Sequence, residues 1–152
     1  MFDPDRTALP TLPVEYPLIY RAFGHTGRYP LHPFAHWGFQ CGDGWYAIVD
    51  ELSAWLENEA RLLKSAGRPV PLVTQVKEKF GGLCFSVRQF PRNRFFTELL
   101  PRVTAAETKS ITICEICGQA GTLRRVGYCQ MLCDRHAAER ESYHQENAEK
   151  AP

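Results

Sequence analysis

The sequence predicts an α+β fold in which a long helix packs on a β-hairpin and a C-terminal treble-clef zinc finger docks beside them. Three observations predict it. Apolar residues recur at helical spacing from Trp45 to Leu63. Two period-two stretches flank Phe80-Gly81-Gly82. A Cys-x-x-Cys pair, Cys114 and Cys117, is followed by a Cys-x-x-His pair, Cys133 and His136.

Composition sets the frame. The chain has 152 residues, 44% hydrophobic and 23% charged, which suits one domain with a small appendage and excludes wholesale disorder. No apolar run approaches the roughly 20 residues of a membrane span. The start, MFDPDRTALP, lacks the basic and apolar regions of a signal peptide, so a cytoplasmic protein is expected. A formal charge of +1 removes bulk attraction to nucleic acid or membrane as an argument.

Residues 1–13 carry three prolines and little apolar pattern, and read as a flexible arm. An α+β core is expected over 14–110. It begins with a short helix from Val14 to Phe23 that ends at Gly24, followed by a loop to His36 and an extended piece at Trp37–Gln40. The long helix should span 44–66, with Asp43 as its N-cap and Gly67 and Pro69 as its stop. Trp45, Leu52, Trp55 and Leu56 should face the core, together with Leu83 and Phe85 of the hairpin. Asp50, Glu57, Asn58 and Arg61 fall largely outside the apolar stripe. Val70–Lys79 and Leu83–Val87 form the hairpin, joined where two glycines can supply positive φ. Residues 94–110 read as helical, with a kink or break near Pro101.

The last segment, 111–147, is the metal-binding part, followed by a tail at 148–152. Six cysteines occur, and four fall within twenty positions, which in a cytosolic chain favours metal over disulfides. The Cys114–Cys117 spacing lets a tight turn aim both sulfurs at one ion, and Gly118 fits that turn. Cys133 and His136 share one face at a helix start. A hairpin near 122–126 and 128–132, around Gly127, fills the interval. Soft sulfurs with one imidazole nitrogen in a closed set of four imply one structural Zn²⁺. Cys129 is the rival fourth ligand, but the hairpin strand is its expected place.

The segments Trp37-Gly38-Phe39-Gln40-Cys41-Gly42-Asp43-Gly44-Trp45 and Gln75-Val76-Lys77-Glu78-Lys79-Phe80-Gly81-Gly82-Leu83, followed by the zinc knuckle, resemble a widespread group of small bacterial and phage or prophage proteins. The resemblance covers roughly 35–137. It implies no assigned reaction. Its phage association implies a protein that inhibits a host factor or defence system. Relatives are expected to carry an arginine where this chain has Cys84, so a site relying on that arginine is altered here.

Other groups carry less. Cys41 lies near a helix start and is the one candidate nucleophile for an enzyme. His25, His32 and His36 lack ligand spacing and read as loop histidines. Lys77, Glu78 and Lys79 at the hairpin tip, with Arg92 and Arg94 after it, are candidate partner-binding residues. Arg88, Arg92, Arg94 and Arg102 interleave with Phe90, Phe95 and Phe96, a pattern suited to single-stranded nucleic acid. The favoured expectation is a non-catalytic protein-binding module. A nucleic-acid-binding zinc finger is the alternative and an enzyme using Cys41 the second. Neither a small-molecule substrate nor a membrane is indicated.

Overall fold

Twenty consecutive residues, Tyr46–Ser65, form the central helix α3 of the computed structural model, which describes residues 7–88, 94–125 and 127–149. Ile48, Val49, Leu52, Leu56 and Ala60 recur along one face and are buried there. Leu62, grouped with that face in the sequence, is 60% exposed, because the last turn runs beyond the core. Trp45 is fully buried one residue before the helix. Trp55 is only half-buried, contrary to expectation. No helix among the described residues is long and apolar enough to cross a membrane.

The hairpin is present. Strand β2 (Leu72–Lys79) pairs antiparallel with β3 (Gly82–Arg88), and the short β1 (Phe39–Gln40) joins β2 in parallel. Lys79 opposes Gly82 across a two-residue connection. The two positive φ angles there belong to Phe80 (53°) and Gly81 (87°), not to the two glycines. Val73, Val76, Leu83 and Phe85 enter the same core cluster as the buried face of α3.

Helix α4 (Arg94–Ser110) lies against both α3 and β3. It also closes the outer edge of the sheet. Ser110 Oγ accepts the Leu83 N–H at 2.8 Å, and Glu107 Oε1 accepts that of Phe85 at 3.2 Å. Side chains thereby serve backbone donors that would otherwise invite another strand. The helix runs unbroken through Pro101, so the expected alternative of two separate pieces does not hold. The proline sits on the exposed side, where water can serve the backbone it disturbs.

The N-terminal region departs most from the sequence reading. Leu9 and Leu12, assigned to a flexible arm, are fully buried within a 3-10 turn (Leu9–Thr11) and the one-turn helix α1 (Leu12–Glu15). The helix expected over 14–23 does not form. Pro17 disfavours helical geometry at Tyr16, whose φ and ψ are −122° and 63°. Residues 16–24 are a series of turns anchored from α3. Glu57, expected outside the core face, is buried and accepts the N–H groups of Leu18 (3.2 Å) and Ile19 (3.1 Å). The Tyr20 hydroxyl and Ser53 Oγ share a 2.6 Å hydrogen bond, and the Tyr16 hydroxyl donates to Asp50 at 2.6 Å. A chain without helical bonds needs acceptors for its N–H groups, and α3 supplies them. Helix α2 (Pro33–Trp37) replaces the end of the expected loop and the first residue of the expected extended piece, starting at a proline.

Beyond α4, β4 (Thr122–Arg124) and β5 (Gln130–Leu132) form a second hairpin, followed by α5 (Asp134–Glu149).

Candidate metal centre

Two elements, a turn and the start of α5, bring four candidate ligands together. Cys114 and Cys117 stand on a turn closed by the Gly118 N–H donating to the Cys114 carbonyl at 2.9 Å, with Gly118 at φ 77°. Cys133 immediately precedes α5, and His136 lies in its first turn. The donor atoms of Cys114, Cys117, Cys133 and His136 all fall within 4.8 Å of one another.

The spacing fits a tetrahedral ion. Bonds of about 2.3 Å to sulfur and 2.0–2.1 Å to nitrogen at tetrahedral angles give roughly 3.8 Å between sulfurs and roughly 3.5 Å between sulfur and nitrogen. Cys117 and Cys133 sulfurs are 3.8 Å apart, and His136 Nδ1 is 3.5 Å from Cys114 Sγ and 3.2 Å from Cys133 Sγ. The chemistry agrees. Three thiols and an imidazole form a donor set for one soft or borderline metal ion, compatible with zinc. His136 turns Nδ1 toward the cluster, while its Nε2 lies 3.3 Å from the Arg135 guanidinium and 3.7 Å from the Glu139 carboxylate. The backbone N–H of His136, which helps to stabilise the anion, lowers the Cys133 thiol to about 6. Burial pushes the Cys114 thiol up. Cys129, the rival ligand, stands outside the cluster, with its Cβ beside Gly81 at the tip of the first hairpin.

The knuckle is built into the core through the Gly42-Asp43-Gly44-Trp45 segment. Gly44 N–H donates to the Glu115 carbonyl at 2.8 Å, and the Trp45 Nε1 donates to the Ile113 carbonyl at 2.9 Å. Glu115, between the two knuckle cysteines, is buried. It accepts the Gly42 N–H at 3.0 Å and the Gln130 amide at 3.2 Å, while Gln130 accepts from Arg140 of α5 at 3.1 Å. The two glycines are required by contact. A Cβ on Gly42 would lie 2.3 Å from the Glu115 carbonyl oxygen, and one on Gly44 would lie 2.2 Å from that of Cys114. Asp43 does not cap α3. Its carboxylate accepts the N–H groups of Thr7, Ala8 and Leu9 at 2.9–3.0 Å and so holds the N-terminal segment. Sequence reasoning took this segment as a turn and cap. The paired glycines signalled a close backbone approach, but their partner, some 70 residues away, carried no local mark.

The remaining candidates separate. Cys41, the candidate nucleophile, is fully buried. Lys79 is exposed and Lys77 half-buried. Glu78 is engaged at the turn, where its carboxylate accepts the Gly81 N–H at 2.6 Å. Arg94 is exposed and paired with Glu98 at 3.1 Å. Arg92 and Phe90 lie outside the described residues. The arginine–aromatic pattern closes on itself, since Arg102 sits 4.5 Å over the Trp55 ring and Phe95 stacks on Trp55 at 6.0 Å. His32, read as a loop histidine, is buried, and neither ring nitrogen has a hydrogen-bond partner among the described residues. Burial, then the charges of Arg88 and Arg21, lower its pKa.

No protein-family model matches the chain, nor does any curated protein or solved structure.

Proposed function

We propose that this chain is a zinc-stabilised binding protein that acts by contact with a partner protein and turns over no substrate. The observation that carries the reading is the donor set of Cys114, Cys117, Cys133 and His136, built into the core through Glu115. Four protein ligands leave a tetrahedral zinc no open position for water or substrate, so the metal serves as scaffold. A knuckle, a hairpin and a helix carrying ligands at its start follow the order of a treble clef. Burial of Cys41 supports the non-catalytic reading, because a thiol at that depth meets no substrate.

Lys77, Lys79 and Arg94 remain as contact residues, and Arg92 keeps its sequence-based assignment. Glu78 is withdrawn from the contact set, since it supports the turn. The resemblance to bacterial and phage proteins makes a host factor, including a component of a defence system, the partner class to test first.

The test compares the wild-type chain with Lys77→Glu/Lys79→Glu. Elemental analysis should give about one zinc per chain for both. A bacterial protein captured by the wild type should be lost from the variant. Capture of nucleic acid alone would favour the zinc finger as a nucleic-acid module. Loss of biological activity in Cys41→Ser with the partner still bound would favour an enzyme.

A further inference from the structure

We propose that the notch between the β2–β3 tip and the β4–β5 hairpin receives one large apolar side chain from an acidic segment of a partner protein. The proposal rests on the binding-protein reading above and names the chemistry of what is bound.

The notch has a volume of about 370 Å³ and is walled by Phe80, Ile111, Leu123 and Met131. That is the low end of ligand-sized cavities, enough for an anchoring side chain. Its rim is unusually apolar for a surface: Phe80 is 80% and Ile111 52% exposed. Phe80 is also the one non-glycine residue with positive φ among the described residues. A Cβ is disfavoured in that conformation, and an exposed benzyl group gains nothing from folding. Glycine would make the same turn more favourably. A contact outside the chain accounts for phenylalanine at this position.

The notch is also pre-formed. Leu123 of the second hairpin occupies the space above Gly81, where a Cβ would lie 2.2 Å from its Cδ1. The hairpin that carries Leu123 is bracketed by the ligand pairs Cys114/Cys117 and Cys133/His136, so metal binding helps to hold this wall in place.

Charge selects the occupant. The Lys79 ammonium lies 5.8 Å from the Phe80 ring centroid, and exposed Arg125 follows β4. Neither has a carboxylate partner among the described residues. Glu78, next to Lys79, is engaged with the Gly81 N–H, and Asp134 pairs with Arg124. An acidic segment supplies the missing charge. A nucleobase fits less well, because these walls offer a concave aliphatic surface rather than open stacking faces.

The test is selection of displayed random dodecapeptides on the zinc-loaded full chain, with winners measured by fluorescence anisotropy. The expected consensus is one Leu, Ile, Met or Phe flanked by Asp and Glu, with affinity falling as salt rises. Phe80→Gly should weaken these peptides about tenfold or more, as loss of an anchor does, while leaving the protein at least as heat-stable. Lys79→Glu/Arg125→Glu should weaken them, and Lys64→Glu, at the exposed end of α3, should leave them unchanged. Basic winners, or no enrichment, overturn the proposal. Winners that bind Phe80→Gly equally well overturn the notch and leave the binding-protein reading standing. A labelled single-stranded oligonucleotide that binds the wild type and is lost from Phe80→Gly would overturn the proposal in favour of nucleic acid.

Discussion

The backbone N–H of Gly44 donates to the carbonyl of Glu115 at 2.8 Å, joining the segment that leads into the central helix to the turn between two cysteines of the candidate metal centre. Neither residue's side chain defines the seam alone. Gly44 permits the approach by lacking a Cβ, and Glu115 fills the buried side with its carboxylate on the Gly42 N–H. Metal site and core are therefore one packing problem.

Gly44→Ala should destabilise the protein by roughly 3 kcal/mol, because the new Cβ meets backbone rather than a flexible side chain. Gly42→Ala should behave alike. Gly27→Ala, with nothing within 4 Å and no positive φ, should stay within about 0.5 kcal/mol. Denaturant unfolding of the three variants checks this. Equal stability of Gly44→Ala and wild type would show that the knuckle does not press on this segment.

Metal removal should be felt at Trp45. Its indole donates to Ile113, one residue before the first ligand. In a Trp37→Phe/Trp55→Phe background, chelation should shift the emission of Trp45 to the red. Cys133→Ser should do the same without a chelator, and His136→Ala should weaken metal retention. Cys129→Ser should keep about one metal per chain. Metal loss from Cys129→Ser but not from His136→Ala would transfer the fourth ligand to Cys129.

Asp43 should act at a distance from its own helix. Asp43→Ala removes the acceptor of three backbone N–H groups in residues 7–9 and leaves α3 without loss of a cap. Amide exchange should rise at Ala8 and Leu9 and stay unchanged along α3. The stability loss should be about 1–2 kcal/mol, since a half-buried network loses its charged member. Exchange rising along the first turn of α3 instead would restore Asp43 to a capping role.

What was legible in the sequence followed from local periodicity and from ligand spacing. α3 and the β2–β3 hairpin repeat at 3.6 and 2 residues, and the four metal-cluster residues carry their own spacing. The N-terminal segment has neither. Leu9 and Leu12 are too few to show a period, and their burial depends on Asp43 and on the floor provided by α3. Glu57 looked solvent-facing because a carboxylate is rarely buried. It is buried here because the turns at Leu18 and Ile19 need an acceptor. Phe80 took the left-handed position beside a glycine pair that could have held it. A side chain that acts outward leaves no trace in internal packing patterns.

His32 gives the pH prediction. It is buried, and neither ring nitrogen has a hydrogen-bond partner among the described residues. Burial, then Arg88 and Arg21, set its folded pKa below the ordinary value of about 6.5. Proton uptake therefore favours the unfolded chain. The stability that depends on a neutral His32 is full above about pH 6.5 and is lost as pH falls through that value toward the folded pKa. The four residues of the candidate metal centre would also protonate in acid, so wild type alone would confound the two effects. His32→Phe separates them. It keeps a ring for the edge contact with Tyr29, whose centroid lies 5.8 Å away, and removes the two unbonded nitrogens. Near neutral pH the variant should be as stable as wild type or gain about 1 kcal/mol, because an unsatisfied buried group is removed. Below about pH 6 its advantage should widen, since only wild type pays a protonation penalty at this position. Unfolding curves of both proteins at the two pH values decide the matter. An advantage that is constant with pH would mean that His32 is protonated equally well in the folded and unfolded chain.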